Sequence, residues 1–169
     1  MTESKLFFAL WPSRHQRERL HGTIKPLLSA VEGNPVSRRN WHVTLVFIGN
    51  FPAERIPELL SAAQLIDAGR IRVRFDSVAF WQRPKIACLQ AKSIPTELEQ
   101  LVRALQKTMI PFGYAPETRV YRPHITVARK VRAFEEIRLA RPIELTWSAF
   151  ELVESVPVAG GVRYHPLKQ

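Results

Sequence analysis

At 169 residues, 46% hydrophobic and 24% charged, the chain suits one globular domain over 1–169 and is too apolar to be disordered. Twenty-five Lys and Arg against 15 Asp and Glu leave a formal charge of +10, which favours polyanionic partners, nucleic acid or nucleotide first. No apolar run approaches the roughly 18 residues of a membrane helix, MTESKLFFALWPSRHQ has no secretory pattern, and the single Cys88 allows no internal disulfide, so a cytoplasmic, monomeric protein without membrane association is expected.

In chain order, KLFFALW (5–11) reads as a buried strand. Ser13 and Gln16 have capping-box spacing and open a helix whose apolar face is Leu20, Ile24, Leu27, Leu28 and Val31. Pro26 inside that face predicts a kink or an early end. WHVTLVFIG (41–49) is a second strand closed by Gly49-Asn50, and PAERIPELLSAAQLI a second helix. RIRVRFDSVAFW and KIACLQA read as strands joined through QRP as a hairpin. In PTELEQLVRALQKTMIPFG, Thr96 and Glu99 form a capping box, Leu98, Leu101, Val102, Leu105 and Met109 a buried stripe, and Gly113 the stop. RPHITVARK is a strand entered from a proline, AFEEIRLA a short helix or turn, IELTWSAFELVESV one long strand, and VRYHPLK a last strand after Gly160-Gly161. The class is α+β with hairpins, and the order strand, helix, strand bearing His-x-Thr occurs twice.

Those two strands carry the chemistry. Alternation puts His42 and Thr44 on one face, and His124 and Thr126 likewise. Imidazole transfers protons near neutral pH, and a hydroxyl donates to a phosphate oxygen without adding charge. Two such pairs across a groove would flank one phosphorus, one group taking a proton from the nucleophile and the other giving one to the leaving oxygen, with no metal. One His-x-Thr is expected by chance in roughly a quarter of chains of this composition, so a single copy is weak and the pair is not. Arg122 shares the face of His124 and suits a phosphate clamp. Arg129 falls on the opposite face by strict alternation, so it needs a bulge or a long reach to join the site. Trp11, Trp41, Trp81, Phe7, Phe8 and Phe47 could stack a base, although such residues are more often core.

KLFFALWP, WHVTLVFIGNF, YRPHITVARK and FELVESVPVAGGVRYHPL together resemble the 2H phosphoesterase superfamily, and within it the RNA 2′,3′-cyclic phosphodiesterases, also called 2′-5′ RNA ligases. The resemblance covers nearly the whole chain. It implies two pseudo-twofold-related lobes of antiparallel sheet with outer helices and a central cleft. It implies hydrolysis of RNA 2′,3′-cyclic phosphate ends to 2′-phosphomonoesters without cofactor or metal, and possible reverse 2′-5′ ligation. It assigns His42 as proton donor and His124 as proton acceptor, Thr44 and Thr126 to the non-bridging oxygens, and Arg129 to the arginine position after the second motif.

Other readings are a non-catalytic RNA-binding module, which keeps the basic surface without needing paired histidines, and a related phosphodiesterase for small cyclic nucleotides or 2′-5′ oligoadenylates. A metallohydrolase is disfavoured, since neither motif has a neighbouring carboxylate or an H-x-x-x-H.

Overall fold

The computed structural model describes residues 1–167. In chain order its main elements are β1 (Glu3–Leu10), α1 (Arg14–Leu28), β2 (Asn34–Pro35), β3 (Val43–Pro52), α2 (Ile56–Ala63), β4 (Ile71–Trp81), β5 (Ile86–Gln90), α3 (Thr96–Met109), β6 (His124–Arg129), β7 (Ile137–Trp147), β8 (Glu151–Val158) and β9 (Gly161–Pro166). The strands form two antiparallel sheets, ordered β3-β1-β8-β9 and β2-β6-β5-β4-β7. Each motif strand therefore lies beside the strand that precedes its helix: β1, α1, β3 in one sheet and β5, α3, β6 in the other.

The two sheets share one apolar core. It runs from Leu6, Phe8 and Leu10 of β1 through Ile71, Val73 and Phe75 of β4 to the α3 stripe and to Ile125 and Val127 of β6. α3 leaves the second sheet and packs on β3 of the first, while α1 leaves the first sheet and touches β7 of the second. The Gln16 amide seals that crossing by donating to the Thr146 carbonyl at 2.9 Å. The opposite side of β1 and β8 holds a smaller cluster of Phe7, Ala9 and Val153, edged by Trp11 and Tyr164. No helix among the described residues is long and apolar enough to cross a membrane.

Local chemistry explains most boundaries. The Ser13–Gln16 capping box forms both of its bonds, and α1 ends two residues after Pro26, leaving Val31 outside the helix. Gly113 closes α3 in the left-handed conformation, φ 92°, after a 3-10 turn at Ile110–Phe112.

Four expectations are corrected. Thr96 does not cap α3: Pro95 is the cap residue, its carbonyl takes the Glu99 N–H at 3.1 Å, and Thr96 is already helical. The segment 137–140 is strand, because β4 offers Val78 and Ser77 as partners to Ile137 and Arg138. IELTWSAFELVESV breaks at 148–150, since β7 and β8 belong to different sheets. Gly49 does not end its strand: at φ 83° it lies within β3, which pairs with β1 as far as Pro52. The last strand covers Gly161–Pro166, and Lys168, its predicted end, lies outside the described residues.

Candidate active site

His42 precedes the first residue of β3 and is fixed at both ring nitrogens. Nδ1 is 2.7 Å from the Asn40 carbonyl, which can only accept, so Nδ1 carries the proton of the neutral ring. Nε2 is then an acceptor, and the Thr44 hydroxyl donates to it at 2.8 Å. Three rings wall the imidazole: Phe7 at 4.8 Å between centroids, Tyr164 edge-on at 5.2 Å, and Trp11 stacked at 5.9 Å. Asn40 also anchors this wall, because its side chain accepts from Tyr164 N and donates to Val162 O, tying β9 to the turn before His42.

His124 opens β6 and repeats the arrangement. Its Nδ1 donates to the Arg122 carbonyl at 2.8 Å, again leaving Nε2 as the unprotonated nitrogen. Trp81 lies 4.3 Å away between ring centroids, and the Arg122 guanidinium sits over the same indole at 4.2 Å. Gln90 holds this group together. Its amide nitrogen donates to Glu136 at 2.8 Å and to Ser77 at 3.2 Å, while its oxygen accepts from Trp81 Nε1 at 3.3 Å. Glu136 can only accept when ionised, so it dictates which end of the Gln90 amide faces Trp81.

The two motif strands share an irregularity. In β3, Ala9 pairs with Thr44 and Phe8 with Val46, so Leu45 is an extra residue. In β6, Cys88 pairs with Thr126 and Ala87 with Ala128, so Val127 is an extra residue. Each bulge immediately follows the motif threonine and resets the alternation. Val127 and Ala128 are both buried, and Arg129 emerges beyond them toward the histidines. The same reset places Phe47, half-exposed, opposite Phe7 on the His42 side.

The electrostatics couple these groups. Burial pushes the His42 imidazole down to about 4, against a favourable bond to Asn40, and positive charge on His124, Arg129 or Arg17 pushes it further. His124 is lowered for the same first reason, with Arg122 and Arg129 adding to it. Arg129 thus acts on both imidazoles, and a proton on His124 disfavours one on His42. Arg17 has its own anchorage: its guanidinium donates to the carbonyls of Pro12, Arg38 and Trp41 and lies 4.7 Å over Trp11. Among the described residues no three His, Cys, Asp or Glu side chains gather as a metal site.

The residues singled out from sequence divide between the site and the core. His42, with Thr44 bonded to it, His124 and Arg129 act on one another, Arg129 through the bulge that strict alternation cannot supply, and Thr126 lies in β6 two residues beyond His124. Arg122 contributes its carbonyl to His124 and stacks its side chain on Trp81. Of the aromatics, Phe7 and Trp11 wall His42 and Trp81 flanks His124, whereas Trp41 and Phe8 are core. Arg17, Asn40, Gln90 and Glu136 were not legible, since each acts through long-range contacts that leave no local pattern.

A family model for LigT-like phosphoesterases matches residues 10–88. The chain is 30% identical to the RNA 2′,3′-cyclic phosphodiesterase of Escherichia coli (strain K12), over 98% of this chain and 94% of that one. It is 27% identical to the protein of the same name from Bacillus subtilis (strain 168), over 64% and 66%. The crystal structure of E. coli LigT complexed with 3′-AMP matches with a TM-score of 0.86 at 27% identity, covering 99% of this chain and 97% of that one. A crystal structure described as a phosphoesterase matches with a TM-score of 0.87 at 27% identity, covering 99% and 97%. The two-sheet α+β fold with a His-x-Thr strand in each sheet defines the class, that of the phosphoesterases. Within it, the chain belongs to the LigT-like phosphoesterase family.

Proposed function

We propose that this protein hydrolyses 2′,3′-cyclic phosphate ends of RNA to 2′-phosphomonoesters, using His42 and His124 as the proton-transfer pair and no metal. The observation that carries the reading is the pair of unprotonated Nε2 atoms, each set by a backbone carbonyl at Nδ1, under the shared influence of Arg129. The names of the E. coli and B. subtilis relatives support it, as does the nucleotide in the E. coli LigT structure.

Water attacks the phosphorus and loses a proton to His124 Nε2. The P–O3′ bond breaks, and His42 Nε2–H protonates the departing O3′. One water is consumed, and proton exchange with solvent resets the pair. Arg129 opposes the charge on the non-bridging oxygens, and the threonine hydroxyls donate to them. Thr44 is engaged with His42 while that ring is neutral. Protonating Nε2 turns it from acceptor into donor and releases the Thr44 proton for the phosphate. His42 resists a proton in its ring-walled site, so the phosphate anion must supply the favourable field as it binds. With an RNA 5′-hydroxyl as nucleophile in place of water, the same steps form a P–O5′ bond as P–O3′ breaks, giving a 2′-5′ linkage.

The test is the rate on a cyclic-phosphate-ended oligonucleotide. His42→Ala and His124→Ala should each lower kcat by at least about 10²-fold, and EDTA should leave the wild-type rate unchanged. Near-full activity in both variants would overturn the reading, and RNA binding without any wild-type turnover would make this an RNA-binding module.

A further inference from the structure

We propose that Phe47 and Lys5 form a nucleotide subsite beside His42: the terminal base stacks on the Phe47 ring, and the phosphate on its 5′ side meets the Lys5 ammonium. The substrate class is thereby narrowed to cyclic ends that carry a 5′-phosphate, RNA termini rather than free cyclic nucleosides. This inference rests on the reading above, in which His42 protonates the departing O3′. In-line displacement sets water and O3′ on opposite sides of the phosphorus, so the ribose lies on the His42 side.

Phe47 is the counterpart of Arg129. It stands three residues after Thr44, as Arg129 stands three after Thr126, and an extra residue follows the threonine in both strands, Leu45 in one and Val127 in the other. Leu45 and Val46 are buried, as are Val127 and Ala128. Strict alternation would send Phe47 into the core, and the bulge turns it out beside Phe7 instead. One position thus holds a guanidinium in the sheet of His124 and an aromatic ring in the sheet of His42. The guanidinium suits the phosphate, and the ring suits the nucleoside. Among the described residues Phe47 is the only Phe, Trp or Tyr that is exposed. A ring held out of the core next to the site is a platform for a base, since every base has a π-face.

The register fixes what surrounds the ring. Phe7 lies directly opposite Phe47 and meets His42 at 4.8 Å between centroids, so one side chain separates the Phe47 ring from the imidazole. β3 bulges again straight after Phe47, at Ile48, because Leu6 pairs with Gly49. Lys5 precedes Phe7 by two residues on the same face of β1, and its ammonium stands 5.7 Å from the Phe47 centroid. Asn50 and Ser155 oppose Lys5 on the two neighbouring strands, so its cross-strand neighbours are neutral. Along this face the order is imidazole, exposed ring, ammonium. It matches the cyclic phosphate, the base and the 5′-phosphate of one nucleotide. The ammonium is a compact point charge, suited to a phosphate without base preference.

Titration calorimetry with 2′-AMP and with adenosine 2′,5′-bisphosphate reads the subsite without turnover. Wild type should bind the bisphosphate about fivefold more tightly, the upper range of one exposed ion pair. Lys5→Met should bring the two Kd values together, and Lys5→Arg should keep them apart. Phe47→Leu should raise both Kd values about tenfold, the share of one base stack, and raise that of inorganic phosphate, which has no base, less than about twofold. Equal wild-type affinity for the two nucleotides, or a preference that survives in Lys5→Met, would overturn the subsite. So would a Phe47→Leu protein that binds both nucleotides like wild type, or one that loses inorganic phosphate equally. Failure of the wild type to hydrolyse a cyclic end would sink the activity and leave the calorimetry to decide the subsite.

Discussion

The Tyr121 hydroxyl donates to the Thr44 carbonyl at 2.8 Å, a bond that joins the loop before the second motif to the strand of the first across 77 positions. Burial holds that phenol far above its ordinary value, so it is a donor at every working pH. The two histidines are thus registered against each other by more than the shared core.

Removing that bond should loosen the register. Tyr121→Phe leaves the ring and a carbonyl without its partner, at a cost of about 1–2 kcal/mol. For a chain of this size that corresponds to a fall in Tm of about 2–8 °C, measurable by calorimetry. The kcat should fall more than KM rises, because misplaced proton-transfer groups cost most in the transition state. Loss of stability with unchanged kcat would make the bond merely structural.

Arg129 is exposed, and no folding role is assigned to it. Arg129→Gln should leave the melting temperature within about 1 °C and lower kcat/KM about 10²-fold, in the range of a lost charge-stabilising donor. Inserting an alanine between Ala128 and Arg129 should move the arginine on by one alternation and turn it away from the cleft, giving a comparable loss even with the arginine present. Full activity in the insertion variant would contradict the assignment of Arg129 to the site.

The pH dependence follows from the lowered imidazoles. His42 holds its proton only below about 4 in the folded protein, against 6.5 ordinarily. Between those values the unfolded chain binds a proton that the folded one does not. This contribution to stability is complete above about pH 6.5 and is lost as pH falls toward 4, at most about 3 kcal/mol for His42 alone. Denaturant midpoints should drop between pH 7 and pH 4.5, and His42→Asn should flatten that slope. With both imidazoles lowered, kcat/KM should be bell-shaped with its optimum below 6.5. Arg17→Met removes one of the charges that push His42 down, so the acidic limb should move to higher pH. An unmoved limb would limit Arg17 to bracing the loop.

Much of this architecture is written in local pattern. The α3 stripe, the Ser13–Gln16 box and the two His-x-Thr strands are short-range features, and periodicity exposes them. The errors arose where a distant partner decided. Ile137 extends as strand because β4 is there to receive it, and residues 148–150 break because the next strand belongs to another sheet. Within the site, residue type and spacing made the histidines and threonines visible, and the resemblance added Arg129. The bulges were not visible, because Val127 looks like any core valine. Arg17 was hidden for a related reason: its guanidinium bonds only to backbone carbonyls, which leave no trace in side-chain identity.

The central claim is that two histidines cleave a 2′,3′-cyclic phosphate at the O3′ side without metal. Phosphorus NMR of a 2′,3′-cyclic nucleotide incubated with enzyme in EDTA tests it most directly. The cyclic resonance should be replaced by that of a 2′-monoester, and His42→Ala and His124→Ala should abolish the conversion on the same timescale. A 3′-monoester, or turnover that appears only when a divalent cation is restored, would contradict it.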